Sequence, residues 1–136
     1  MHELFEHTAD LGLRIRAPDL NTLFAEAGAC LFSAIVDDIA TIEPTQTFTL
    51  EISGTDLEFL LFDWLRELLY RCEESHLLFS MFDVQVTDTG LKATIGGESI
   101  NREKHEMSRE VKAITYHELK LIQENGGWLA ELIIDI

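Results

Sequence analysis

Proline is scarce in this chain. Pro18 and Pro44 are the only two among 136 residues. No proline-, glycine- or serine-rich stretch separates one part from another, so residues 1–136 read as one domain without a linker. Basic residues are also few: ten Lys and Arg stand against 25 Asp and Glu, a formal charge of −15. So acidic a surface repels phosphate backbones and disfavours stable direct nucleic-acid binding. It suits a basic protein partner or cations, and it keeps a protein dissolved. Cysteine is limited to Cys30 and Cys72, which fall on separate apolar helical stripes with no CxxC or Cys/His cluster nearby. They read as reduced core thiols of a cytoplasmic protein, not as a disulfide or a zinc site. Long apolar runs are missing too. The most apolar stretch, "DLEFLLFDWLRELLY", is broken by Asp63, Arg66 and Glu67, which marks an amphipathic helix and not a membrane span. The opening "MHELFEHTAD" has neither the basic region nor the apolar core of a signal peptide.

What is present is a globular composition, with 46% hydrophobic residues. "LGLRIRA" alternates Leu11, Leu13, Ile15 and Ala17 with Gly12, Arg14 and Arg16, the pattern of a half-buried strand. Leu20, Leu23, Phe24, Ala27, Leu31 and Ile35 then recur at helical spacing, with Asp19 placed to cap the helix. "TQTFTLEIS" reads as a second strand. A second helix follows, with Thr55 and Glu58 as a capping box and a broad stripe from Leu57 to Cys72. "LFSMFDVQVTD" and "LKATIGGES" form two strands around a turn at Thr89-Gly90. "NREKHEMSR" reads as a loop. "EVKAITYHELKLIQ" and "WLAELIIDI" alternate on either side of Asn125-Gly126, a strong hairpin signal. The expected class is α+β: a two-layer single domain, a mostly antiparallel sheet with two amphipathic helices packed on one face. Solvent or a small second layer covers the other face; the pattern leaves both open.

Chemistry-bearing residues gather at the two ends. Asp10 precedes the first strand, and Asp135 and the carboxyl group of Ile136 close the last. If those strands are neighbours, three carboxylates meet and form a hard, all-oxygen cation site. Glu6 and His7 then line the same spot. The ordinary alternative is two solvated, frayed chain ends. His7, His105 and His117 offer imidazoles as acids or bases, but no serine or cysteine partner stands at triad spacing. Arg102, Lys104, Arg109 and Lys112 crowd one segment with Glu103, Glu106 and Glu110. That segment is either a solvated loop or a docking loop.

"EHTADLGLRI", "DLEFLLFDWLRELLY", "EVKAITYHELKL" after a "KHE" loop, and a final "IIDI" together resemble the archease family, in order and over essentially the whole chain. The resemblance implies an accessory factor and not an enzyme. Its partner would be an RtcB-type RNA-splicing ligase, which joins RNA ends through a GMP-histidine intermediate. The factor would promote guanylylation and repeated turnover in tRNA processing. The resemblance also implies a metal site at Asp10, Asp135 and Ile136; the hard oxygen donors make calcium the expected ion, with magnesium or manganese as alternatives. Lys112 would be a further functional position, and the "KHE" loop with His105 a partner contact. Glu106 stands where many members of the family have proline. Two other classes compete: a metal-dependent hydrolase using His7 or Glu6 as base, and a chaperone-like interaction module without a metal.

Overall fold

Eight antiparallel strands, two long helices and one short 3-10 turn make up the computed structural model, which describes residues 1–136. Strands β1 (His2–His7) and β2 (Asp10–Ala17) form the opening hairpin. Helix α1 (Leu20–Ile35) follows, then the 3-10 turn Ile39–Thr41 and β3 (Gln46–Ser53). Helix α2 (Leu57–Ser75) leads to β4 (Leu77–Thr87), β5 (Gly90–Ser99), the two-residue β6 (Ala113–Ile114), β7 (Lys120–Glu124) and β8 (Gly127–Asp135).

The expected α+β class and the amphipathic helices are present. The strands, however, divide into two sheets. One has the order β1-β2-β8-β6, with β7 also paired to β8; the other has the order β3-β5-β4. A single core of 36 buried residues draws on both sheets and both helices, so the two sheets share one interior. At its centre the Trp64 indole N–H of α2 donates to the Phe24 carbonyl of α1 at 2.8 Å. That bond satisfies the one polar group the ring carries.

Capping follows local chemistry. The Asp19 carboxylate accepts the Thr22 N–H at 2.8 Å, as the sequence predicts. For α2 the cap is Asp56, which accepts the Phe59 N–H at 3.1 Å, and not Thr55. Glu58 reaches away from the cap and accepts the Leu121 N–H of β7 at 3.2 Å. A tertiary partner thus takes the carboxylate that a capping box would use locally.

Two other features depart from the sequence pattern. A strand precedes "LGLRIRA": residues 2 to 7 form β1, paired with β2 over its full length. "EVKAITYHELKLIQ" is not one strand but two short ones on the same edge of β8, separated by a turn in which Glu118 is left-handed (φ 54). Asn125 (φ 49) and Gly126 (φ 79) do make the hairpin turn between β7 and β8, and both values are those an Asn-Gly pair tolerates.

The outer face of the five-stranded sheet mixes ion pairs with the buried Leu129 and Ile133. Leu11, Leu13, Ile15 and their partners Ile134, Leu132 and Ala130 are buried on the inner face. On the outer face Arg14 pairs with Glu3 and Glu131, and Lys120 also reaches Glu131. These contacts raise the Arg14 pKa and lower that of Glu131, whose own burial works the other way. The Phe5 ring lies flat over Gly12, filling the place a Cβ would take, and the Arg14 guanidinium stacks on it at 4.4 Å.

Candidate functional site

Antiparallel register brings three distant segments to one corner of the five-stranded sheet. His7 pairs with Asp10, Leu11 with Ile134, and Ala113 with Asp135. One step past the Leu11–Ile134 pair, Asp10 stands opposite Asp135. Neighbouring strands lie about 4.8 Å apart, and opposed residues share a face. Here that is the outer face, since the alternate residues are core. Asp10 is half-buried and Asp135 exposed. The ion pairs on this face engage Glu3, Glu118, Glu124 and Glu131, but neither Asp10 nor Asp135. Neither aspartate side chain has a basic partner. Ile136 follows directly, its side chain packed against the core. Glu6 pairs with Leu11 and so points to the opposite face, away from Asp10.

Lys112 joins the corner through its backbone. Its N–H donates to the Asp135 carbonyl at 2.8 Å, and its side chain is exposed. The turn after β6 carries His117 and Glu118 back to His7, and the Glu118 carboxylate lies 3.3 Å from His7 Nε2. Sequence reading placed His117 and Glu118 within a continuous strand. Nothing in their spacing announces that they meet His7.

The segment from Arg102 to Lys112 is anchored, not free. The Asp37 N–H donates to the Glu106 carbonyl and the Ser108 N–H to the Ile35 carbonyl, each at 2.8 Å. Its anchor is His105, which is fully buried. Nδ1 of His105 accepts the Asn101 N–H at 3.0 Å, and Nε2 lies 3.0 Å from a Glu98 oxygen. A ring with no exposed surface touches no partner, so the expected contact role of His105 is corrected to a structural one. Lys104 is occupied as well, by Glu43 at 2.7 Å and Glu98 at 2.8 Å. Glu98 thereby falls to a pKa of about 2, held by Lys104 first and then by the Glu43 N–H. Seven of the ten Lys and Arg side chains form ion pairs with carboxylates. The three that do not are Arg102, Arg109 and Lys112, all in this one segment. Arg102 and Arg109 line a cleft of about 510 Å³ with Met107 and Val111.

The cysteines offer no nucleophile at neutral pH. Burial, with Glu26 and Glu3 nearby, pushes the Cys30 thiol up to about 12, and burial raises Cys72 to about 11.

The Archease protein family (MTH1598/TM1083) matches residues 2–136. The chain belongs to the archease family. Protein archease of Pyrococcus abyssi is 40% identical over 139 aligned positions, covering 98% of this chain and 97% of that one. The Methanopyrus kandleri protein archease is 38% identical, covering 98% of each chain. The solution structure of Methanobacterium thermoautotrophicum protein 1598 matches with a TM-score of 0.82 at 33% identity, covering 99% of this chain and 98% of that one. A crystal structure of an archease from Thermotoga maritima, described as a possible chaperone, has a TM-score of 0.68 at 20% identity, covering 100% and 98%. The last is a likeness of fold. Three of the segments that carry the archease resemblance fall at the corner just described: "EHTAD" ends β1 and opens β2, "EVKAITYH" supplies β6 and its turn, and "IIDI" closes β8; "DLEFLLFDWLRELLY" forms α2. No helix is long and apolar enough to cross a membrane.

Proposed function

We propose that this protein is a non-catalytic accessory factor that activates an RtcB-type RNA-splicing ligase in the cytoplasm, promoting its guanylylation and repeated turnover in tRNA processing. The observation that carries this reading is the convergence of three archease segments on one corner, where Asp10 opens β2 beside the end of β8 and neither it nor Asp135 has a basic partner. Two carboxylates and the Ile136 carboxyl group are hard oxygen donors. They fit calcium, with magnesium or manganese as alternatives, better than they fit zinc. Bound there, such an ion supplies concentrated positive charge to phosphate oxygens. The chain's own residues supply position. The β2–β8 register holds the carboxylates on the outer face, and the main chain of the exposed Lys112 is tied to Asp135. Arg102 and Arg109, which line the cleft without a carboxylate partner, offer charge for a partner's acidic groups.

A guanylylation assay of the cognate ligase tests the reading. Asp10→Ala and Asp135→Ala are expected to cut stimulation by about tenfold or more while melting normally in the absence of metal. Extending the chain past Ile136 should do the same, because the terminal carboxylate disappears. Normal stimulation by both aspartate variants sinks the proposal. Calcium at a hundredfold excess over its Kd should stabilise the wild type by about 2.7 kcal/mol and the variants by less.

One observation favours a second reading, a client-binding module. Phe59 (55% exposed) and Tyr116 (54% exposed) form a surface aromatic pair, and the Tyr116 ring is stacked on Phe62 at 3.9 Å. Stimulation of the ligase that survives Asp135→Ala but not Phe59→Ser would favour it.

A further inference from the structure

The turn between β6 and β7 brings together three donors that the ligase reading leaves unused. His7 Nε2 lies 3.3 Å from Glu118 Oε2. The His7 and His117 rings meet edge-on with centroids 5.2 Å apart. One ligand atom from each of His7, His117 and Glu118 lies within 4.8 Å of the other two. A plain histidine–carboxylate hydrogen bond accounts for the first contact. It does not account for a second imidazole converging on the same point.

The other nitrogen of His7 adds a second observation. His7 Nδ1 lies 3.5 Å from the Thr8 hydroxyl, so Nε2 is the atom facing the cluster. An imidazole steadied through one nitrogen and presenting the other is the arrangement metal-binding histidines commonly adopt.

We propose that His7, His117 and Glu118 form a binding site for a zinc-class divalent ion, separate from the carboxylate pair at Asp10 and Asp135. The donor set decides the class. Two imidazoles and one carboxylate suit zinc and its first-row neighbours, whereas an all-oxygen set suits calcium. Bonds of about 2.0–2.2 Å place tetrahedral ligand atoms roughly 3.3–3.6 Å apart, so the donors need to draw in by about 1 Å. His117 and Glu118 are exposed and His7 is half-buried, which leaves their side chains room to do so. Three protein ligands leave a fourth position open to water or to an oxygen from a docked partner. Because His7 is cross-strand to Asp10, this site would lie beside the hard-ion corner without sharing its donors.

The test uses the untagged full chain, stripped with chelator, titrated with zinc chloride by calorimetry and with cobalt(II) by visible absorption. The wild type should bind one zinc per chain and give a cobalt spectrum with nitrogen ligation. His7→Ala and His117→Ala should each weaken zinc binding by about tenfold or more and abolish that spectrum. Glu118→Gln, which keeps shape, should weaken zinc severalfold. Asp135→Asn should leave zinc affinity within about threefold of wild type. Zinc binding by His117→Ala at wild-type affinity overturns the proposal. So does an Asp135→Asn loss as large as the His117→Ala loss, which would put zinc on the carboxylate pair. Melting temperatures identify any variant that fails to fold; for such a position the glutamine variant is read by the same criteria. None of these outcomes depends on the ligase, so this site and the accessory role fail separately.

Discussion

Glu98 shows how a single side chain organises the basic segment. Its carboxylate, 16% exposed, accepts from Lys104, from the Glu43 N–H at 2.7 Å and from the His105 ring. These donors hold its pKa at about 2 against an ordinary 4.5. A depressed carboxylate stabilises the fold above its unfolded pKa, and that contribution disappears as pH falls through the folded one. Acid should therefore erode stability between pH 4.5 and about 2, and Glu98→Gln should flatten that part of the curve. A pH series of denaturant melts compares the two; identical slopes would remove Glu98 from the account. His105→Ala belongs to the same cluster. It leaves the Asn101 N–H without its acceptor and should cost about 1–3 kcal/mol, with ligase stimulation intact wherever the chain remains folded. His105 was identifiable in the sequence only as a titratable residue in a polar loop. Its burial depends on Glu98 and Asn101 arriving from the end of β5, which spacing does not reveal.

The opening hairpin is the element on which the corner depends. β1 alternates weakly, with Leu4 on the inner side and Phe5 on the outer, so no apolar stripe marks it as a strand. It forms because β2 offers a full ladder of partners and because Phe5 can lie over a residue without a Cβ. In Gly12→Val the new Cβ would collide with the Phe5 ring, which must swing off the sheet and away from Arg14. The expected cost is about 1–3 kcal/mol by chemical denaturation. Because both changes act on one contact, Gly12→Val and Phe5→Ala together should cost clearly less than their sum. Strict additivity would show that the ring and the glycine are not coupled. The break between β6 and β7 was hidden for a related reason. The alternation of "EVKAITYHELKLIQ" continues through the turn, so periodicity alone could not show that Glu118 is left-handed.

Across the whole molecule, acidic charge far exceeds its neutralisation. Ten basic residues face 25 acidic ones, and the outer-face ion pairs involve only a few of the carboxylates. Net self-repulsion opposes compaction and is screened by salt. Raising sodium chloride from about 0.01 to about 0.3 M should increase the melting temperature by roughly 3–5 °C, the equivalent of about 1 kcal/mol. A fall would mean that the Glu3–Arg14–Glu131–Lys120 lattice outweighs the repulsion. The split into two sheets is also decided at this scale. β5 pairs with β3 on one edge and β4 on the other, and α1 packs between that sheet and β2.

The helices, most of the strands and the Asn125-Gly126 turn were written into the sequence, because periodicity and turn chemistry act over a few neighbouring residues. So were the acidic character and the pairing of an opening Asp10 with a closing Asp135 as a conditional idea. Only the tertiary structure set β2 beside β8 in antiparallel register. It alone buried His105, turned Glu6 away, and folded His117 and Glu118 back onto His7. Those outcomes depend on which strand edge each segment finds, and that choice belongs to the packed chain as a whole.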